Sequence, residues 1–337
     1  METLERVLRG GVLGEDEAYA LMCALAEAAV APALAGALLA ALRARGERPE
    51  EVRGFARALL DRAVDPGLTR AGPYVDIVGT GGDGSGSLNL STGAALLAAA
   101  AGLTVVKHGN RAVSSRSGSA DVLEALGLTL SREGADAALT ASGFTFLFAP
   151  HYHPAMKAVA PVRRAMGVRT IFNVLGPLVN PARPQRMLVG AYSPAAARLM
   201  AAALSKLDVE RAYVVHGAPG WDEPTPVGPF LRLDVRPGAV VEQTVDPLDY
   251  GVPRCAPRDL AGGDAAENAA TLRAVLRGEA RGPARDALVL GCALALEIAG
   301  VASGAAAAEA ASAAIDDGRA AGTLARLAPQ PQSGGAA

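Results

Sequence analysis

The sequence predicts an α/β protein in two parts: a small all-helical N-terminal domain, and a large domain with a mostly parallel central sheet flanked by helices. Three observations carry this. Residues 1 to about 66 show helical spacing and no strand-like run. After Gly72-Pro73, short β-rich runs alternate with Ala/Leu-rich helical segments. The glycine-rich stretches follow the carboxyl ends of those runs. Strand–helix alternation of this kind buries a parallel sheet under helices on both faces.

In the first part, Leu4, Val7, Leu8 and then Ala18, Leu21, Met22 and Leu25 recur at helical spacing, with Pro49, Pro66 and Gly67 as punctuation. Strands are expected at Tyr74–Val78, Thr104–Lys107, Thr145–Phe148, Thr170–Val174, Leu188–Ala191 and Tyr213–His216. Helices are expected between them at Ser91–Ala101, Asp121–Leu126 and Pro194–Leu207. Leu231–Val235 and Val240–Thr244, joined by Arg236-Pro237-Gly238-Ala239, read as an antiparallel hairpin. Helices return after Asp264 and run to about Leu327, and the tail 328–337 reads as disordered.

Composition narrows the function. With 337 residues the chain has a large core available without staples. Its 32 basic residues against 34 acidic ones argue against a general nucleic-acid or anionic-membrane surface. Three scattered cysteines, Cys23, Cys255 and Cys292, exclude a disulfide framework or a Cys-rich zinc site as the organising principle. The first residues carry acids and no apolar core of a signal peptide, and Ala28–Leu42 is too short to span a bilayer. A soluble cytoplasmic protein is expected.

In parallel sheets ligands sit at the carboxyl ends of strands. The first strand runs into GTGGDGSGSLNLST (79–92), with glycines at 79, 81, 82, 84 and 86, followed by Ser91 and Thr92 at a helix start. Glycine lets backbone N–H groups approach an anion, and the helix end adds free donors and a positive dipole. The G-x-G-x-x-G match is weak alone, because the helix opens too late for a dinucleotide fold and the second strand ends in Lys107-His108 rather than an acid. No Lys-Ser/Thr follows the glycines, which excludes a Walker A loop.

The second strand delivers KHGNRAVSSRSGSADVLEALG (107–127). Lys107 is a compact charge suited to a phosphate oxygen, and Ser114, Ser115, Ser117 and Ser119 offer donors ahead of another helix. Two adjacent Gly/Ser loops imply a ligand with more than one phosphate. One helix end and one lysine cannot neutralise such a ligand, so a divalent metal with oxygen ligands is expected. Asp222-Glu223 is the candidate, with Asp83 in reach; from spacing alone, a solvated surface turn is the favoured reading of the pair. Farther on, His151 and His153 lack a third ligand for zinc. Arg163 could pair with a carboxylate, or Arg163 and Arg164 could merely complement a helix C-terminus.

GTGGDGSGSLNLST, KHGNRAVSSRSGSADVLEALG, HPAMKAVAPVRR and RTIFNVLGPLVNPARP, in this order and spacing, resemble the anthranilate phosphoribosyltransferases of tryptophan biosynthesis over nearly the whole chain. The resemblance implies a nucleoside phosphorylase/phosphoribosyltransferase-like fold: a helical domain of residues 1–66 joined by helices from about 154–185, beside an α/β domain of residues 73–327. It implies transfer of the phosphoribosyl group of phosphoribosyl pyrophosphate (PRPP) to the amine of anthranilate, by a cytoplasmic homodimer with Mg²⁺, two ions. Carried over by position, Gly79, Gly82, Asp83, Ser87, Asn89, Ser91, Thr92, Lys107 and Ser119 would hold PRPP. So would the intervening His108, Gly109, Asn110, Arg111, Ala112, Val113, Ser114 and Ser115. Ser91, Asp222 and Glu223 would hold magnesium; Gly79, Asn110, Arg163, His108 and His153 would meet anthranilate; Lys107, Arg163 and Asp83 would serve catalysis. Two other readings stay open: a pyrimidine nucleoside phosphorylase of the same fold, and a non-catalytic relative that binds nucleic acid.

Overall fold

The computed structural model describes residues 2–112 and 116–327. Val113, Ser114 and Ser115, and the tail expected to be disordered, lie outside the described residues.

Four helices open the chain: α1 (Glu2–Leu8), α2 (Glu15–Ala26), α3 (Pro32–Arg45) and α4 (Pro49–Asp61). Pro32 and Pro49 sit at helix starts, where the missing N–H costs nothing and the fixed φ suits the first turn. Gly54 lets α4 cross α2 closely, since a β-carbon there would stand 2.3 Å from the Glu15 carbonyl oxygen. Glu51 is fully buried and satisfied: it accepts from the N–H groups of Leu13 and Arg48, each at 2.9 Å, and pairs with Arg45. A buried carboxylate is tolerable only with partners of this kind.

The second part follows as β1 (Val75–Gly79), α5 (Leu90–Ala100), β2 (Val105–Gly109), α6 (Ser119–Ala125), α7 (Ala135–Ser142), β3 (Phe144–Phe148), α8 (Ala149–Tyr152), α9 (Met156–Met166) and α10 (Phe172–Leu175). Then come β4 (Arg186–Gly190), α11 (Pro194–Leu204), β5 (Arg211–His216), β6 (Phe230–Arg236), β7 (Ala239–Val245), α12 (Ala265–Leu276), α13 (Pro283–Ile298), α14 (Gly304–Asp316) and α15 (Arg319–Leu327). The seven strands form one sheet in the order β3-β2-β1-β4-β5-β6-β7. β1 to β5 pair in parallel; β6 and β7 form the antiparallel hairpin.

The two faces of the sheet bury separate cores, as alternating side chains of buried strands require. One core packs Ile77, Leu188 and Val215 beneath α5, α6 and α12–α15. Gly93 and Gly291 let α5 and α13 approach: a β-carbon on Gly93 would lie 2.7 Å from Leu288, and one on Gly291 would lie 2.8 Å from Ala94. The other core packs Val78, Val189 and Val214 against α11 and continues into the N-terminal helices and Val159, Phe172 and Leu175. Among the described residues no helix is long and apolar enough to cross a membrane.

The expected strand at Thr170–Val174 is instead a turn leading into α10. Its β-branched residues favour extension, but local bonds prevail. The Thr170 N–H donates to Asn173 Oδ1 at 2.9 Å, and Phe172 packs edge-on to Phe55 of α4 at 6.0 Å.

Candidate active site

Strand order reverses at β1, which lies between β2 and β4, so a crevice opens beyond the carboxyl ends of β1 and β4. The loop after β1 enters that crevice. Gly81, Gly82, Gly84 and Gly86 all have φ between 59° and 75°, the left-handed region open to glycine. Its base is pinned to β4: the Thr80 N–H donates to the Gly190 carbonyl at 3.0 Å, and the Tyr192 N–H donates to Thr80 Oγ1 at 3.1 Å.

Asp222 and Glu223 come from the loop after β5, which folds back across β4. Asp222 is 7 % exposed, so the pair is not a solvated turn. Asp222 Oδ2 accepts from the Gly81 N–H and from Thr80 Oγ1 at 3.2 Å, while its own N–H donates to Asp83 Oδ2 at 3.1 Å. Glu223 Oε1 accepts from the Ser91 N–H, at the start of α5, at 3.1 Å. Burial pushes both carboxyls above the usual carboxylate range; Asp83 adds to the shift of Asp222, and Asp222 to that of Glu223. Two desolvated carboxylates beside a hydroxyl make an all-oxygen donor set suited to a hard divalent cation.

Lys107 is 2 % exposed on β2. Its ammonium donates to the Ile77 carbonyl and to Ser91 Oγ at 3.3 Å. Burial pulls its pKa down, opposed first by Asp76 and then by Glu223 and Asp222. Asp76, on β1, is fully buried, and that burial raises it to about 6. It accepts from the His108 N–H at 3.3 Å and from Asn180 Nδ2 at 2.9 Å; the same amide donates to the Val106 carbonyl at 2.8 Å.

α9 and α10 pack against the N-terminal helices. The Arg163 guanidinium sits 5.0 Å from the centroid of Phe172, and burial lowers its pKa. Among the described residues no carboxylate pairs with it. His108 and His153 meet edge to face at 5.1 Å. Burial pulls His108 down to about 3, with His153 second among the causes; burial likewise lowers His153. The Gly176 backbone lies against the His108 ring, and the Val179 and Leu59 backbone against that of His153, while Thr170 Oγ1 is buried without a hydrogen-bond partner. His151 is exposed against Phe148.

The second loop meets the first through α12. Asn268 Nδ2 donates to Asn89 Oδ1 at 2.8 Å and to Ser117 Oγ at 2.9 Å, while its Oδ1 accepts from the Gly263 N–H at 2.7 Å. Ser85 Oγ reaches Asp83 Oδ1 at 2.8 Å and Ser87 Oγ at 3.1 Å. Ser119 Oγ donates to the Asn110 carbonyl at 3.2 Å. The Ala112 N–H donates to Asp121 Oδ2 at 3.1 Å. Thr92 Oγ1 is buried without a partner. Gly109 lets Ser119 close in, since a β-carbon there would lie 2.5 Å from its Oγ. Arg111 differs from its neighbours: it is engaged by Asp121 at 2.8 Å and Glu124 at 2.6 Å.

The structure thus links Asp83, Ser91, Lys107, Asp222 and Glu223 through hydrogen bonds, with Gly79 close against Asp222; His108, next to Lys107 on β2, meets His153, and Arg163 meets Phe172. Sequence reasoning missed Asp76, Asn180, Asn268 and Arg169, whose guanidinium donates to the Gly82 carbonyl. Arg169 and Asn180 stand in the RTIFNVLGPLVNPARP stretch, and Asp76 and Asn268 in no quoted motif; each takes a role only through its partners.

Residues 71–321 match the glycosyl transferase family a/b domain, and residues 1–63 match that family's helical bundle domain. The chain is 49% identical over 270 residues to anthranilate phosphoribosyltransferase from Oleidesulfovibrio alaskensis, covering 79% of this chain and 81% of that protein. The crystal structure of the Thermus thermophilus enzyme superposes with a TM-score of 0.90 at 44% identity, over 97% of this chain and 98% of the other. The Saccharomyces cerevisiae enzyme in complex with PRPP and Mg gives a TM-score of 0.86 at 26% identity, over 97% and 96%. The fold superposes on these relatives along nearly their full length, and the chain belongs to the anthranilate phosphoribosyltransferase family of glycosyltransferases.

Proposed function

We propose that this chain transfers the phosphoribosyl group of PRPP to the amine of anthranilate, releasing pyrophosphate, in tryptophan biosynthesis. One observation carries the reading: the glycine loop, Asp83, Ser91, Lys107 and the Asp222-Glu223 pair are hydrogen-bonded into one cluster beyond β1 and β2, while Arg163 has no carboxylate partner among the described residues.

In this reading Gly79, Gly82, Asp83, Ser87, Asn89, Ser91, Thr92, Lys107 and Ser119 hold PRPP, and the segment from His108 to Ala112 flanks it. Breaking the bond from the anomeric carbon to pyrophosphate builds negative charge on the leaving group. Preorganised N–H donors of the loop and the Lys107 ammonium bind that charge more tightly as it grows, which lowers the barrier. Ser91, Asp222 and Glu223 would hold magnesium, two ions, which when bound neutralises phosphate charge. The all-oxygen set and the raised carboxyl pKa values support that fit. The yeast relative's complex with PRPP and Mg supports it as well.

Arg163 would take the anthranilate carboxylate by charge-assisted hydrogen bonds, with Asn110, His108 and His153 lining the seat and Gly79 at the junction. Both histidines stay neutral near pH 7, so the seat has one positive group for one carboxylate. The arylamine is already a neutral nucleophile and needs no strong base. Holding it in line with the anomeric carbon supplies ~7–11 kcal/mol of the barrier.

The proposal includes residues 1–66 with 154–185 as a helical domain against 73–327. The apolar cluster joining α1–α4 to Val159, Phe172 and Leu175 supports it. It also includes a cytoplasmic homodimer, for which sedimentation at micromolar concentration is the test. Loss of anthranilate fluorescence on adding PRPP and Mg²⁺ tests the activity. Turnover of thymidine and phosphate in its place would favour the nucleoside phosphorylase reading.

A further inference from the structure

We infer that Arg169 is a positioning residue for this transfer, tying the acceptor-side helix to the donor loop so that the two substrates bind cooperatively. The inference rests on the function proposed above. Arg169 lies between α9, which carries Arg163, and α10, which carries the Phe172 ring against Arg163. Its guanidinium donates to the Gly82 carbonyl, in the middle of the glycine loop. The face of the same guanidinium stacks on Tyr192, with Cζ 4.1 Å from the ring centroid.

Tyr192 leads back to the donor side. Its N–H donates to Thr80 Oγ1 at 3.1 Å, and that hydroxyl reaches Asp222 Oδ2 at 3.2 Å. Arg43 of α3 hydrogen-bonds the Tyr192 side chain from the helical domain. One side chain therefore joins the acceptor wall, the donor loop and, through Tyr192 and Thr80, the Asp222 carboxylate.

The chemistry calls for arginine. Its planar group can donate in the plane while its face stacks on a ring, which an ammonium cannot do. The loop it holds is the one that most needs holding. Gly81, Gly82, Gly84 and Gly86 give it more freedom than any other residue type would, and ordering it costs affinity. An acceptor settled under α9 steadies the α9–α10 turn and, through Arg169, the Gly82 carbonyl, so the donor then orders less chain. Linkage makes the effect mutual.

The test is calorimetric titration of anthranilate into the full chain, with and without saturating Mg²⁺-pyrophosphate, a pair that cannot turn over. The wild type is expected to bind anthranilate on the order of tenfold more tightly when pyrophosphate is present. Arg169→Ala is expected to lose that enhancement to below about twofold, and Tyr192→Leu, which removes the ring from the other side, to lose it likewise; Arg169→Lys does not restore it. A merely structural role would weaken both affinities and leave their ratio alone. An undiminished ratio in both Arg169→Ala and Tyr192→Leu, or no enhancement in the wild type, overturns the inference. A wild type that binds neither compound overturns the proposed function itself.

Discussion

A β-carbon at Gly190 would stand 1.6 Å from the carbonyl oxygen of Asp222. The acidic loop therefore lies directly on the end of β4, and a β-carbon at Gly217 would meet the Glu223 carbonyl oxygen at 1.8 Å in the same way. These two glycines are the room in which the carboxylates reach the start of α5. Gly190→Ala must push the loop outward. We expect kcat/KM to fall about 100-fold, the cost of a misplacement near 1 Å, with a stability loss of about 1–3 kcal/mol from overpacking. Steady-state kinetics and urea unfolding measure both; near-native activity would show that the loop position does not matter.

Replacing Asp222 and Glu223 by Asn and Gln removes the two buried charges while keeping their size. The Mg²⁺ concentration for half-maximal rate is expected to rise at least tenfold, with the fold retained because Asn and Gln keep the size and the acceptor oxygens of the acids. An unchanged metal titration would put the ligands elsewhere.

Arg163→Leu removes the guanidinium that faces no carboxylate. KM for anthranilate should rise roughly 10- to 100-fold, matching a lost hydrogen bond to a charged group of about 1.5–3 kcal/mol, while KM for PRPP moves less than about threefold. Thermal stability should hold or improve, since the charge is half-buried without an ionic partner. Equal effects on both substrates would remove the assigned role.

Asn268→Leu breaks the bridge between the two phosphate-side loops and leaves the Gly263 N–H without its acceptor. An unmet buried group costs about 1–3 kcal/mol. Part of that should appear as a KM for PRPP raised on the order of tenfold, with KM for anthranilate unaffected. A pure stability loss with native KM values would make the bridge structural only.

The histidine pair sets a pH dependence. His108 is held at about 3 when folded and near 6.5 when unfolded, so below pH 6.5 the unfolded chain binds a proton that the folded one does not. Stability is then fully present above pH 6.5 and declines as pH falls toward 3. Between pH 7 and pH 5 one such group accounts for about 2 kcal/mol. Unfolding free energies of wild type and His108→Gln from urea titration should diverge by that amount between pH 7 and pH 5; parallel pH profiles would contradict the burial of a neutral ring.

Much of this was legible in the residues. Five parallel strands and the hairpin leave strong local marks, because buried strands are short apolar runs and the glycine loops must follow their ends. Lys107 could be singled out because its expected place is the end of a strand between two such loops, although β2 runs on to Gly109. The role of Asp222 and Glu223 could not be decided by spacing, since their burial depends on Gly190 and Gly217, which stand next to them only in space. Asn268 meets Asn89 across 179 residues and sits in an alanine-rich helix that reads as packing. Asp76 reads as a strand residue until His108 and Asn180 are seen bonding to it. Thr170, Ile171 and Val174 mislead for the opposite reason, because their β-branched side chains favour extension while the Asn173 side chain caps the turn.

In the proposed function residues 79–92, 107–112 and 116–119 form one cradle for PRPP, closed by Asp222 and Glu223. A crystal of this chain grown with PRPP and Mg²⁺ tests it most directly. The account predicts the diphosphate against the glycine loop near Lys107, with magnesium on Ser91, Asp222 and Glu223. PRPP bound at any other surface, or magnesium seated away from that acid pair, would contradict it.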